Sequence, residues 1–126
     1  MDIFSAIGNT PLVQLKTLTN GTKAKIFGKL EGSNPGGSIK DRPAFYMIKK
    51  AEESGELTRG KTILEATSGN TGIAIAMIGA ARGYPVKLVI PGCVSSERSR
   101  ILEAFGAEVI LTPACEGTDG SIREAA

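Results

Sequence analysis

The sequence predicts an α/β fold, a parallel sheet with helices on both faces. Two patterns predict it. Beyond about residue 60, strand-length and helix-length segments alternate, and the strands are continuous apolar runs such as Leu88-Val89-Ile90 rather than alternating ones. Strands of that kind are buried on both sides, as parallel strands are when crossover helices cover them. The 126 residues, 41% hydrophobic and 22% charged, suffice for a domain with a real core.

Taken in order, the first residues read as an irregular or short helical opening, followed by a strand over 11–15. Asn20-Gly21 is turn chemistry, and 25–31 alternates as a second strand. A helix is expected over about 39–53, with Ala44, Met47, Ile48 and Ala51 on one face. Then come a short strand at 62–65, a strongly apolar helix at 71–82 and a strand at 86–90. An amphipathic helix follows at 96–105, with Ser95 or Ser96 as its cap and Glu97 in its first turn. Gly106 ends it, a strand occupies 108–111, and a last helix starts near Asp119. That helix reaches Ala126 without a C-cap, and helices so short are not stable alone. The expectation is therefore a piece of a longer protein, with right-handed crossovers.

Composition removes several function classes. A net charge of +2 without a basic cluster, with four Phe, two Tyr and no Trp, argues against nucleic acid and against a membrane surface. No stretch approaches the roughly 18 apolar residues of a membrane span. Cys93 and Cys115 form no CxxC, and histidine is absent. A structural zinc site, a Ser/His/Asp triad and a Cys/His dyad therefore fall away, and no metal is expected. Two reduced cysteines without a secretory signal fit a cytoplasmic protein. Acid–base chemistry here must fall to lysine, a carboxylate, tyrosine or a cofactor.

Two loops carry the chemistry. In Ser33-Asn34-Pro35-Gly36-Gly37-Ser38-Ile39-Lys40-Asp41-Arg42, proline and two glycines make a turn that leads into a helix. Lys40 thus sits at a helix start, where the partial positive charge disfavours an ammonium and suits a lysine acting as a neutral amine. Asp41 and Arg42 either begin a solvated helix or hold the loop in place, and spacing does not decide. The second loop, Thr67-Ser68-Gly69-Asn70-Thr71-Gly72, joins a strand to a helix. Its N–H groups and hydroxyls converge on a spot that favours an anion, a carboxylate or a phosphate. Asn70 adds both a donor and an acceptor. A dinucleotide is disfavoured, because G-x-G-x-x-G is missing. Gly55 through Thr62 matches the Walker A letters, but a helix precedes it and a strand follows, the reverse of a phosphate cradle.

Together these two loops closely resemble the cysteine synthase (O-acetylserine sulfhydrylase) family of fold-type II pyridoxal-phosphate enzymes. Ile7-Gly8-Asn9-Thr10-Pro11-Leu12-Val13, Ser95-Ser96-Glu97-Arg98 and Phe105-Gly106-Ala107-Glu108 also look like that family, so the resemblance covers essentially the whole chain. It implies that Lys40 binds pyridoxal 5'-phosphate covalently and later acts as base at the substrate α-carbon. Asn70 would bond the cofactor's 3-hydroxyl. Thr67, Ser68, Asn70 and Thr71 would grip the substrate α-carboxylate. The implied reaction replaces the acetate of O-acetyl-L-serine by sulfide to give L-cysteine. Cystathionine β-synthase and serine/threonine dehydratase are sister readings, and a non-catalytic binding fragment is a third. The resemblance assigns residues 1–35 to the larger domain of the complete enzyme and 36–126 to an incomplete small α/β domain. The phosphate cup and the serine that meets the pyridine nitrogen would lie beyond 126. The complete enzyme would be a homodimer, with serine acetyltransferase as a possible partner. Cys93-Val94 and Gly117-Thr118-Asp119 depart from the usual family pattern.

Overall fold

The computed structural model describes residues 2–67 and 69–126. Three parallel strands form the sheet: β3 (Ile63–Ala66), β4 (Val86–Pro91) and β5 (Glu108–Thr112), in the order β3-β4-β5. A separate antiparallel pair joins β1 (Leu12–Gln14) to β2 (Phe27–Lys29), with Val13 opposite Gly28. The helices are α1 (Ile3–Ala6), α2 (Asp41–Ser54), α3 (Asn70–Arg82), α4 (Ser96–Ala104) and α5 (Gly117–Ala125). No helix among the described residues is long and apolar enough to cross a membrane.

The expected α/β architecture is present, and its two faces can be traced residue by residue. Side chains alternate along a strand. Val86, Leu88 and Ile90 of β4 enter one core with Ala44 and Ile48 of α2, Ala74 to Ile78 of α3 and Leu102 of α4. Val89 points the other way yet is only 1% exposed. On that side α5 lies against all three strands, and its Ser121 hydroxyl pairs with the Thr112 hydroxyl at 2.9 Å. Each fully buried Leu88 or Ile90 contributes about 1.5–3 kcal/mol. Gly55 and Gly83 close α2 and α3 with φ of 78° in both cases, the left-handed stop that favours glycine.

Differences from expectation have local causes. β1 and β2 are shorter than 11–15 and 25–31, because no second layer covers them: Leu12 is 64% and Phe27 52% exposed. Met47, expected on the buried face of α2, is half exposed and lines an apolar groove with Ile48, Ala51, Leu57, Ile63 and Ile75. The last helix starts at Gly117, after a 3-10 turn over Ala114–Glu116. Residues 55–62 do join α2 to β3, so the Walker A match has the helix-then-strand order expected of it.

The first thirty-odd residues are tied to α2 by one polar knot. Arg42 donates through Nε to Glu31 Oε2 at 2.8 Å and through an Nη2–H to Oε1 at 2.7 Å, a two-pronged fork. The same Nη2 reaches the Gly8 carbonyl at 2.9 Å. Asn34 donates to Glu31, Thr10 donates to Glu31, and Gly8 N–H donates to Asn34 Oδ1 at 2.8 Å. The alternative that Arg42 merely begins a solvated helix is therefore set aside: it holds loop to helix. The Arg42 bonds pull the Glu31 carboxyl down to about 2 from an ordinary 4.5, with Asn34 and Thr10 adding to them and burial opposing.

Two outcomes follow from this packing. Gly79 of α3 faces Val86, and a Cβ there would collide with the Val86 methyl. Overpacking costs about 1–3 kcal/mol, more than the ~1 kcal/mol alanine gains in a helix. Gly79→Ala should therefore lower the thermal midpoint, and adding Val86→Ala should cost less than the two single effects summed; strict additivity would rule out the clash. Glu31 has a depressed value, so its stabilisation is present above about 4.5 and lost as pH falls through about 2. Glu31→Gln should unfold more easily than wild type at neutral pH. The gap should close across that acid window, as read from urea midpoints at several pH values.

Candidate active site

Helices α2 and α3 pack against each other. Ile75 shares a groove wall with Ile48 and Ala51, and Arg82 in the last turn of α3 pairs with Glu52 of α2 at 3.1 Å. Tyr84 donates to the same carboxylate, and the Arg82 guanidinium lies 4.6 Å from the centre of the Phe4 ring. Phe4 in turn stacks on Phe45 of α2, centroids 5.4 Å apart. Lys40 is the residue before α2, and Asn70 is the first of α3.

Gly69 takes the N-cap place of α3 in extended conformation and contributes no side-chain cap. Its carbonyl accepts from Gly72 N–H at 3.0 Å and from Ile73 N–H at 3.4 Å, the first bonds of the helix. A Cβ at Gly72 would meet the Thr67 carbonyl at 3.2 Å, a close approach that glycine relieves. Thr67 and Thr71 are half-buried and Asn70 is exposed. The expectation for Ser68 lies outside the described residues. An uncapped helix start flanked by hydroxyls and an amide is chemically matched to a small anion.

The start of α2 is the opposite. Lys40 N–H donates to Ser38 Oγ at 3.1 Å, Asp41 N–H to the Ser38 carbonyl and Arg42 N–H to the Ile39 carbonyl. Pro43 has no N–H. The donors are spent inside the loop, and the fully buried Asp41 carboxyl occupies the first turn. The bare positive end expected beside Lys40 is thus largely used up. Burial raises the Asp41 carboxyl above its ordinary value, against the Gly36 N–H bond and with the Glu31 charge adding to it. Lys40 itself is exposed, and its amine has no hydrogen bond or ion pair among the described residues.

These groups fit pyridoxal phosphate: an unpaired primary amine for its aldehyde, and an amide beside an open helix start for oxygen atoms of cofactor and substrate. Glu31 is the contributor that the sequence did not single out. It looks like any acidic residue at a strand end, and its partner lies eleven positions away across a loop.

Comparison with known proteins agrees. The family model for "pyridoxal-phosphate dependent enzyme" matches residues 3–126. A cysteine synthase of Aquifex aeolicus is 51% identical over 123 residues, which are 95% of this chain and 38% of that protein. The crystal structure of cysteine synthase from Entamoeba histolytica superposes with a TM-score of 0.93 at 45% identity, covering 98% of this chain and 38% of that one. An O-acetylserine dependent cystathionine β-synthase of Helicobacter pylori gives 0.89 at 38% identity, covering 99% of this chain and 42% of that one. The chain thus spans about two fifths of the length of the proteins it matches. By a family match over nearly every residue and a fold shared with a solved cysteine synthase, this chain belongs to the pyridoxal-phosphate dependent enzymes of fold type II.

Proposed function

We propose that the protein carrying this chain is a cysteine synthase, which replaces the acetate of O-acetyl-L-serine by sulfide to give L-cysteine. What supports this reading is the Lys40 amine, without a hydrogen bond or ion pair among the described residues, together with a start of α3 whose N-cap is a glycine. Identity of 51% to a named cysteine synthase supports it.

Lys40 would hold the cofactor covalently, and Asn70 would orient it through the ring hydroxyl. Bound there, the cofactor would supply an electron sink for the substrate α-carbon. Thr67, Ser68, Asn70 and Thr71 would hold the substrate carboxylate at the start of α3, where the helix dipole favours it. The Lys40 amine would take the α-proton as acetate leaves Cβ, and would return a proton to Cα as sulfide adds at Cβ. Residues 1–35 would belong to the larger domain of the complete protein, and 36–126 to an incomplete small α/β domain. The remainder of the protein supplies the contacts to the cofactor phosphate and ring nitrogen, so residues 1–126 alone would hold the cofactor poorly and be inactive. The complete protein would work as a cytoplasmic homodimer. The free cysteines, both exposed, fit that compartment.

A second reading is favoured by the high likeness to the Helicobacter pylori cystathionine β-synthase: the same serine-derived substrate with a thiol amino acid in place of sulfide. Chromatography of products from O-acetylserine with sulfide, against O-acetylserine with homocysteine, separates the two. In the complete protein, Lys40→Ala should fold and lack the visible absorbance band of the lysine-bound cofactor; a retained band refutes the assignment. Asn70→Ala should keep the band but weaken cofactor retention about tenfold, the loss of one well-placed hydrogen bond, measured by dialysis.

A further inference from the structure

The loop before α2 is closed on itself around the residue that the cofactor reading depends on. Gly36 N–H donates to Asp41 Oδ2 at 2.5 Å, so residues 36–41 form a ring. The ring closes only because position 36 is glycine, since a Cβ there would run into the Asp41 carboxylate. Inside the ring, Lys40 N–H donates to the buried Ser38 hydroxyl. Gly37 takes φ of 82°, and its N–H donates to the Asn34 carbonyl at 2.8 Å, closing the turn that leads into the ring.

This ring is a poor device for stability. Asp41 is 0% exposed, and its Oδ1 has no hydrogen-bond partner among the described residues. A buried polar atom left unpaired costs stability, and an apolar residue would pack there at lower cost. What the ring does achieve is geometric. Lys40 carries a long flexible side chain, and its amine can be placed only as well as its Cα is. Ser38 holds the backbone at Lys40 directly, and Asp41 holds the loop that leads to it.

We propose that Ser38 and Asp41 are positioning residues for Lys40, fixing its backbone from both sides of the Gly36–Asp41 ring. This rests on Lys40 being the lysine that binds the cofactor. The working feature of Asp41 is an acceptor oxygen at the Oδ2 place, so an amide serves there and a methyl does not.

The test uses the complete protein stripped of pyridoxal phosphate, and follows the visible band as the cofactor is added back. Circular dichroism melts report folding in parallel. Ser38→Ala and Asp41→Ala should melt near wild type yet re-form the band about tenfold more slowly, as misplacing a reacting group predicts. Asp41→Asn should recover most of the rate. Folded Ser38→Ala and Asp41→Ala proteins that re-form the band at the wild-type rate would overturn the proposal. So would an Asp41→Asn protein as slow as Asp41→Ala. Should Asp41→Ala not fold, Ser38→Ala decides with the same two outcomes. Lys40→Ala separates the premises: loss of the band keeps the reading on which the proposal rests, and retention removes both.

Discussion

The fork between Arg42 and Glu31 is the contact on which the remaining arrangement depends. It joins the loop after β2 to the first turn of α2, and the same guanidinium reaches the Gly8 carbonyl. Three stretches far apart in sequence are thereby fixed to one side chain, two residues from Lys40. A lysine could not substitute, because a single ammonium cannot span both carboxylate oxygens and a carbonyl in one plane. With α2 held at its start, the apolar contacts of Ala44 and Ile48 with α3 fall into register.

The starts of α2 and α3 are built differently. That of α2 is internally saturated, with its donors used by Ser38 and Ile39 and its first turn occupied by a buried carboxyl. That of α3 has a glycine at its N-cap, which brings no side-chain acceptor to the first turn. The same backbone feature, a helix beginning after a glycine-rich turn, thus serves two different ends in one chain.

Much of the fold was legible in the residues. The β3-α3-β4-α4-β5 succession follows from apolar strands and from glycines at 83 and 106, whose positive φ ends each helix. The strands β1 and β2 are legible but read too long, since a strand pattern does not tell whether a layer covers it, and their antiparallel pairing is not written in the residues. The 3-10 turns at Thr17–Thr19, Glu31–Ser33 and Ala114–Glu116 left no pattern, each being a single turn. In the site, Lys40 and Asn70 announce themselves because glycine-rich turns surround them. Glu31 and the ring formed by Asp41 do not. Their meaning lies in partners fixed by the path of the loop rather than by spacing.

Arg82 closes α3 and acts as a brace along α2: its guanidinium pairs with Glu52 at 3.1 Å and lies 5.7 Å from the centre of the Phe45 ring. Phe45 and Glu52 are seven residues apart, so the brace spans two turns, about 10 Å of helix. Phe45 is five residues from Lys40, and the end of α3 is thereby tied to a turn of α2 close to that lysine. A loss of the guanidinium, remote from Lys40 in sequence, would loosen the turn that follows it.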